Sequence, residues 1–257
     1  MTQPRTRSLD RFRLDGLIAL ITGAGRGLGE ACAIALADAG AEVILMSRTE
    51  SELDDLKVRI EADGGTARTA ICDAADPAAI AAVVPALGRI DILVNNAGTN
   101  IPEPFLEVSL DHLDTILNLN LRGAFLMAQG VARGMVTRGQ GGSIIHMSSQ
   151  MGHVGAPNRT AYCASKHAIE GLTKAMGVEL APHRIRTNSV GPTFVDTPLA
   201  KKFLDDPAFS KDVLERIPMG KLGQVEDVAD AVVYLAAPAS NMVTGTSLLV
   251  DGGWTAR

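Results

Sequence analysis

The sequence contains few cysteines, only 3 among its 257 residues. Cys32, Cys72 and Cys163 are too few and too far apart to form a disulfide framework or a metal cluster, so no metal site is predicted. We interpret each of them as a small packed side chain, which is how unpaired cysteines usually behave. Reduced thiols are typical of the cytoplasm, and we expect the protein to be located there.

Long apolar runs are also missing. No stretch approaches the roughly 18 consecutive apolar residues of a membrane-spanning helix, so no membrane association is predicted. Residues 1–16 carry four arginines without an apolar segment behind them, which argues against export. The formal net charge of −5 argues against a nucleic-acid partner, because such a surface needs clustered lysine and arginine. The remaining class of partner is a small molecule.

The sequence has no proline-, serine- or glycine-rich linker, low-complexity tract or internal repeat in its middle. We therefore predict one domain over residues 14–257, preceded by a partly disordered tail over residues 1–13. Within the domain, residues 196–218 are expected to form a mobile lid of two short helices.

Short runs rich in valine, isoleucine and leucine alternate with longer segments of helical periodicity. The runs are apolar almost continuously, as in parallel strands that helices cover on both faces. This alternation predicts an α/β fold with a doubly wound, mostly parallel sheet of the Rossmann type. The predicted strands cover residues 17–21, 42–46, 90–94, 143–147, 186–190 and 247–250, and the clearest helices cover residues 29–39, 50–62 and 159–180.

The first predicted strand leads directly into a glycine-rich turn, TGAGRGLG at residues 22–29, and then into an alanine-rich helix. Glycine lets the backbone bend sharply and approach a pyrophosphate, while the start of a helix favours negative charge. The turn therefore predicts a dinucleotide site, with a tight packing turn as the alternative. The candidate contacts in it are Gly23, Gly25, Arg26, Gly27, Leu28 and Gly29.

The end of the second predicted strand lacks the carboxylate that binds the ribose 2′-hydroxyl of NAD. Ser47 and Arg48 lie there instead, and Arg48 together with Arg26 suits a 2′-phosphate. This favours NADP(H), while NAD(H) stays open because Arg48 is also compatible with a solvated charge at a helix start. Further candidate contacts lie at the same edge of the sheet, namely Asp73, Ala74, Asn96, Ala97 and Gly98.

Tyr162 and Lys166 are four residues apart in a predicted helix, so they share one face. An ammonium one turn from a phenol stabilises the phenolate, and we expect the pKa of Tyr162 to fall below its ordinary value. Such a tyrosine exchanges a proton with an alcohol or ketone oxygen. Ser149 follows the predicted strand over residues 143–147 and is expected to hydrogen-bond the same oxygen. A coincidental pair on a surface helix is the alternative for the four-residue spacing alone.

The glycine turn, the turn over residues 95–98, Ser149 and the pair Tyr162 and Lys166 occur in the order and spacing of the short-chain dehydrogenase/reductase family. The chain resembles this family from about residue 14 to residue 253. The resemblance implies an NAD(P)-dependent oxidoreductase in which Tyr162 is the acid/base, Ser149 positions the substrate and Lys166 also binds the nicotinamide ribose. It implies that Asn120 holds a water in a proton relay. It adds cofactor contacts at Tyr162, Lys166, Pro192, Thr193, Val195 and Thr197.

Residues 250–253 match a family signature associated with subunit packing, which implies a homotetramer. The chain departs from the family pattern at Thr193, where glycine is usual, so the backbone of that loop is expected to differ. The segment from Asp73 to Asp91 is about one helical turn shorter than usual, which should alter an outer helix.

The loop between Ser149 and Tyr162 must border the substrate pocket, because both of its ends are catalytic. Its polar residues suit a hydroxylated or carboxylated substrate; they are Gln150, His153, Asn158 and Arg159. Among them, Gln150, His153 and Asn158 join Ser149 and Tyr162 as predicted substrate contacts. A loop histidine without a catalytic part is the alternative for His153.

The polar loop and the terminal segment at residues 251–254 resemble gluconate and deoxygluconate dehydrogenases of the family. A sugar acid, polyol or other small hydroxy/keto compound is therefore the first predicted substrate class. The 3-oxoacyl-carrier-protein reductases are nearly as similar, so a 3-oxoacyl thioester is the second. A nucleotide sensor without turnover is the alternative from another class; it would lack a reacting residue, and none is lacking here.

Overall fold

A computed structural model of the chain describes residues 7–197 and 205–256. The start of the predicted tail, at residues 1–6, and residues 198–204 of the predicted lid lie outside the described residues. The described strands are β1 (Ile18–Thr22), β2 (Glu42–Ser47), β3 (Thr66–Ile71), β4 (Ile92–Asn95), β5 (Gly142–Met147), β6 (Ile185–Pro192) and β7 (Ser247–Val250).

These strands form one parallel sheet in the order β3-β2-β1-β4-β5-β6-β7. Helices cover both of its faces, which confirms the predicted doubly wound α/β fold. The described helices are α1 (Gly27–Asp38), α2 (Glu50–Ala62), α3 (Pro77–Ala86), α4 (Leu110–Leu117), α5 (Ala124–Arg138), α6 (Thr160–Glu179), α7 (Pro207–Arg216) and α8 (Val225–Ala236).

The two faces of the sheet carry separate hydrophobic cores. On one face, α1 and α8 pack together through buried side chains such as Leu36 and Val232. On the other face, α3 and α5 pack over the sheet through Val84 and Met127. Burial on both faces explains why the central strands are apolar at nearly every position.

The edge strand β3 departs from that pattern, because its sequence TARTAI is only partly buried. Its weak apolar signal is the reason why no bounds were predicted for it. Strand β6 continues two residues beyond its predicted end at residue 190, because Gly191 and Pro192 pair with Leu249 and Val250 of β7. The other predicted strand ends agree with the structure to within two residues.

The described part of the predicted tail packs against the domain. Phe12 lies with its ring 6.2 Å from the ring of Tyr234 in α8. The guanidinium of Arg11 donates to the Pro238 carbonyl at 3.1 Å.

Across the described ranges, every helix is too short or too polar to cross a lipid bilayer.

Candidate active site

The carboxyl ends of β1, β2, β4, β5 and β6 surround a cavity of about 560 Å³. It lies where the strand order reverses between β1 and β4, the position at which doubly wound sheets bind ligands. Every predicted cofactor contact lines it: Gly23, Gly25, Arg26, Gly27, Leu28, Gly29, Ser47, Arg48, Asp73, Ala74, Asn96, Ala97, Gly98, Tyr162, Lys166, Pro192, Thr193, Val195 and Thr197. The structure thus gathers residues that are up to 174 positions apart, from Gly23 to Thr197.

The glycine turn connects β1 to α1, and hydrogen bonds fix its start to the loop after β4. The Thr22 hydroxyl accepts hydrogen bonds from the backbone N–H groups of Asn96 and Ala97, both at 3.0 Å. The Asn96 amide donates to the Thr22 carbonyl at 2.9 Å. Gly23 has φ of 65°, and a Cβ on Gly29 would collide with the Gly23 carbonyl and the Asn96 amide. The turn therefore requires glycine, and it brings the first N–H groups of α1 against the cavity.

Two arginines lie at the end of the cavity formed by the glycine turn and β2, and each is near a carboxylate. Arg26 lies 3.7 Å from Glu52, and Arg48 lies 3.8 Å from Asp73. Both guanidinium groups are largely exposed, so these ion pairs are weak. A dianionic phosphate can therefore take the place of the two carboxylates as the partner of the arginines. Glu52 was not among the predicted contacts; its place in the first turn of α2, shortly after the predicted contacts Ser47 and Arg48, was the available signal.

The cavity fits a nicotinamide dinucleotide on one further observation. Thr193 lines the cavity, and its hydroxyl is buried without a hydrogen-bond partner among the described residues, so it is available to a bound polar group. The Thr193 N–H donates to the Val250 carbonyl at 3.2 Å, which holds the loop after β6 onto β7. The threonine in place of the usual glycine is thus accommodated at the cavity wall.

The predicted reacting residues meet at the end of β5. Ser149 and Lys166 are buried, and with Tyr162 they line the cavity. The Lys166 amine lies 5.5 Å from the centre of the Tyr162 ring and donates to the Met147 carbonyl at 2.7 Å. The Ser149 hydroxyl donates to the Gln150 side-chain oxygen at 2.8 Å. The helical spacing therefore does place cation and phenol together, facing the cleft.

The expected fall in the pKa of Tyr162 is wrong for this structure. Burial raises the pKa of Tyr162, and this effect outweighs the lowering by the Ser149 hydrogen bond and by nearby Arg159. Burial lowers the pKa of Lys166 to about 8, while the carboxylate of Glu170 opposes that change. The phenol consequently carries its proton at neutral pH, which suits a proton donor.

Asn120 does not line the cavity with its side chain. It lies in a π-helical turn, Asn118–Gly123, between α4 and α5. Its amide donates to the Thr99 carbonyl and its oxygen accepts from the Thr99 N–H, both at 2.8 Å. The amide also lies 3.2 Å from the Ser165 hydroxyl. The side chain thus fastens the loop after β4 to α6, next to Lys166 in sequence.

Of the predicted substrate contacts, Gln150 lines the cavity together with Ser149 and Tyr162, but His153 and Asn158 do not. His153 instead contacts β7 and α6, with its Nε2 atom 3.1 Å from the Ser247 hydroxyl and 3.5 Å from the Glu170 carboxylate. The Asn158 carbonyl accepts from the Glu103 N–H at 3.1 Å, in a left-handed turn with φ of 58°. Both residues shape the loop rather than the cavity wall.

Other residues of the cavity wall were not among the predicted contacts. Arg159 is buried and lines the cavity, although its sequence position only marked it as a polar loop residue. Phe194 lines it too, and its ring lies 5.8 Å from that of Trp254 and 5.7 Å from that of Phe209 in α7. The remaining ones are Thr22, Met46, Thr49, Cys72, Thr99, Asn100, Leu119, Met147, Ser148 and Met151.

Comparison with known proteins agrees with this geometry. A family model described as enoyl-(acyl carrier protein) reductase matches residues 23–255. The L-xylulose reductase of Mus musculus is 44% identical over 243 residues, which cover 95% of this chain and 98% of that protein. The D-threitol dehydrogenase of Mycolicibacterium smegmatis is 40% identical over 263 residues and covers 100% of both.

Solved structures give the same result. A gluconate 5-dehydrogenase from Burkholderia cenocepacia, in complex with NADP and tartrate, matches with a TM-score of 0.94 at 40% identity; the match covers 98% of this chain and 100% of that one. Likeness of sequence and fold over nearly the full length, at this level of identity, has one explanation. The chain belongs to the short-chain dehydrogenase/reductase family of NAD(P)-dependent oxidoreductases.

Proposed function

We propose that this protein interconverts a hydroxyl and a keto group on a small polyol or sugar acid, with NADP(H) as its hydride carrier. The proposal rests on one observation: Ser149, Tyr162 and Lys166 line the same cavity as the glycine turn. The names of similar proteins, among them L-xylulose reductase and gluconate 5-dehydrogenase, support this class of substrate.

Each reacting side chain has a role that its surroundings support. When bound, the cofactor supplies or accepts the hydride. In reduction, the buried phenol of Tyr162 donates its proton to the carbonyl oxygen, and in oxidation the phenolate takes it back. The Ser149 hydroxyl hydrogen-bonds the same oxygen and stabilises the charge that develops on it. Lys166 remains an ammonium below about pH 8, stabilises the phenolate and binds the nicotinamide ribose.

The side-chain amide of Asn120 holds the loop after β4 against α6. In the proposed relay, a water beside Asn120 connects Lys166 to solvent, so the proton of Tyr162 is replaced after each turnover. This relay is carried over from the family resemblance.

A 3-oxoacyl thioester on a carrier protein is the weaker candidate. An acidic carrier needs a basic patch near the cavity entrance. In the described part of the lid, Lys211 lies 3.8 Å from Glu215 and Arg216 lies 2.8 Å from Asp212, so these bases are offset by acids. The described lid surface therefore has no excess of positive charge to attract such a partner.

The test is a substrate panel followed by absorbance of the reduced nicotinamide. The panel contains neutral ketoses and polyols, sugar acids and a 3-oxoacyl thioester, each assayed with NADP(H) and NAD(H). We expect turnover of the sugar-derived compounds, with kcat/KM at least about tenfold above that of the thioester. Preference for the thioester would refute the substrate class, and cofactor binding without consumption of any compound would support a sensor.

We also infer a homotetramer in the cytoplasm. Large apolar side chains are exposed on and around α4 and α5, namely Phe105, Leu106, Leu110 and Phe125, and such a patch favours contact with another copy of the chain. The buried thiols of Cys32 and Cys72 suit a reducing compartment. Light scattering on the purified protein is expected to give four times the chain mass of 26.9 kDa, and a monomer would contradict the inference.

A further inference from the structure

The charges along the cavity wall are unevenly distributed. Six charged side chains line it, and four of them lie at the end formed by the glycine turn and β2, where Arg26 and Arg48 are near Glu52 and Asp73. The other two are Arg159 and Lys166, at the catalytic end. The Arg159 guanidinium also donates to the Asn158 carbonyl at 3.3 Å, and the Lys166 ammonium interacts with the Glu170 carboxylate outside the cavity wall. The side chains that line the substrate end of the cavity therefore include two cations.

Arg159 is well placed to act on the substrate. It is the N-cap residue of α6, three positions before Tyr162, and only 8% of its surface is exposed. Burial lowers the pKa of its guanidinium, while the neighbouring Tyr162 opposes that change. A cation that has lost part of its hydration gains more from an anionic ligand than a surface arginine does.

The start of α6 adds to this positive potential. The helix runs for 20 residues, and the partial positive charge of its N-terminus lies beside Arg159 and Tyr162. The cavity wall also includes Asn100, whose side-chain oxygen is buried without a partner among the described residues. An oxygen of this kind accepts hydrogen bonds from the hydroxyl groups of a substrate.

We propose that Arg159 binds a carboxylate of the substrate, so that the preferred substrate is a hydroxy or keto acid rather than a neutral polyol or ketose. This inference rests on the proposed function and narrows its substrate class. Because Arg159 and Tyr162 are one helical turn apart, the carboxylate lies within a few bonds of the carbon that reacts. A guanidinium binds a carboxylate through two parallel hydrogen bonds, which also fixes the orientation of the substrate.

The experiment compares an aldonic acid with the alditol of the same chain length, using NADP+ and four proteins. These are the wild type, Arg159→Gln, Arg159→Lys and Arg133→Gln; the last removes the same charge from the exposed face of α5. We expect Arg159→Gln to raise KM for the acid about 100-fold, with a smaller change in kcat, and to change KM for the alditol less than about twofold. Arg159→Lys is expected to recover part of the loss, and Arg133→Gln to match the wild type.

A second readout does not depend on turnover. Tartrate binding to the protein with NADP+ is measured by calorimetry, and we expect Arg159→Gln to weaken it at least about tenfold. Thermal melting checks that each variant is folded. Equal losses on acid and alditol, or unchanged tartrate affinity in folded Arg159→Gln, would overturn the role of Arg159. Absence of turnover of both compounds by the wild type would count against the proposed function, and the tartrate measurement would still decide the carboxylate site.

Discussion

Replacement of Tyr162 by phenylalanine is expected to lower kcat about 1,000-fold, because a positioned general acid contributes roughly 10² to 10⁴ in rate. The substitution removes the phenolic oxygen and its proton and keeps the ring. The ring packing beside Lys166, with the amine 5.5 Å from the ring centre, therefore survives. NADPH affinity, measured by fluorescence titration, should stay within about threefold of the wild type.

The chain offers a matched control, because it contains only two tyrosines. The other one, Tyr234, lies in α8 and packs against Phe12 of the predicted tail. Tyr234→Phe is expected to retain kcat within about twofold, since it removes the same hydroxyl away from the cavity. Near-normal turnover by Tyr162→Phe would refute the assignment of the acid/base, whatever the control shows.

Arg48→Asp is expected to change the ratio of kcat/KM for NADPH to that for NADH about 100-fold or more in favour of NADH. The substitution replaces a phosphate-binding cation with a carboxylate, which repels the 2′-phosphate and accepts a hydrogen bond from a free 2′-hydroxyl. Arg48 lies 3.8 Å from Asp73 and is mostly exposed, so its loss should cost little stability. Steady-state kinetics with both cofactors over a range of salt concentrations measure the effect.

Two further variants separate charge removal from charge reversal. Arg48→Gln removes the charge alone and should give a smaller change in the same direction. Glu52→Gln should act in the opposite direction, because Glu52 lies 3.7 Å from Arg26 and competes with a phosphate for it. All three effects should shrink at high salt, since these groups are exposed to solvent. An unchanged cofactor ratio in Arg48→Asp would exclude Arg48 as the group that reads the 2′ position.

Local signals allowed the candidate catalytic residues to be predicted without a structure. The four-residue spacing of Tyr162 and Lys166 fixes their common helical face, and the glycines after β1 fix a turn that only small residues permit. Both follow from steric rules that act over a few neighbouring residues. The central strands were equally visible, because burial on both faces leaves an uninterrupted apolar run.

His153 and Arg159 show where local signals end. Both are polar residues of the same loop, six positions apart, and nothing nearby distinguishes them. Their surroundings do: His153 meets Ser247, which is 94 positions away, whereas Arg159 becomes a buried part of the cavity wall. The bounds of the edge strand β3 could not be predicted for a related reason, since an edge position does not demand apolar residues.

The order of strands and helices, the glycine turn and the tyrosine–lysine pair were thus determined by the sequence alone, because periodicity and steric fit act along short stretches of chain. The tertiary structure decided which polar side chains line the cavity, which carboxylates lie near Arg26 and Arg48, and in which direction the pKa of Tyr162 moves. Those properties depend on desolvation and on charges brought together from distant positions. For Tyr162 the desolvation proved larger than the effect of neighbouring charges, and spacing in the sequence contains no measure of it.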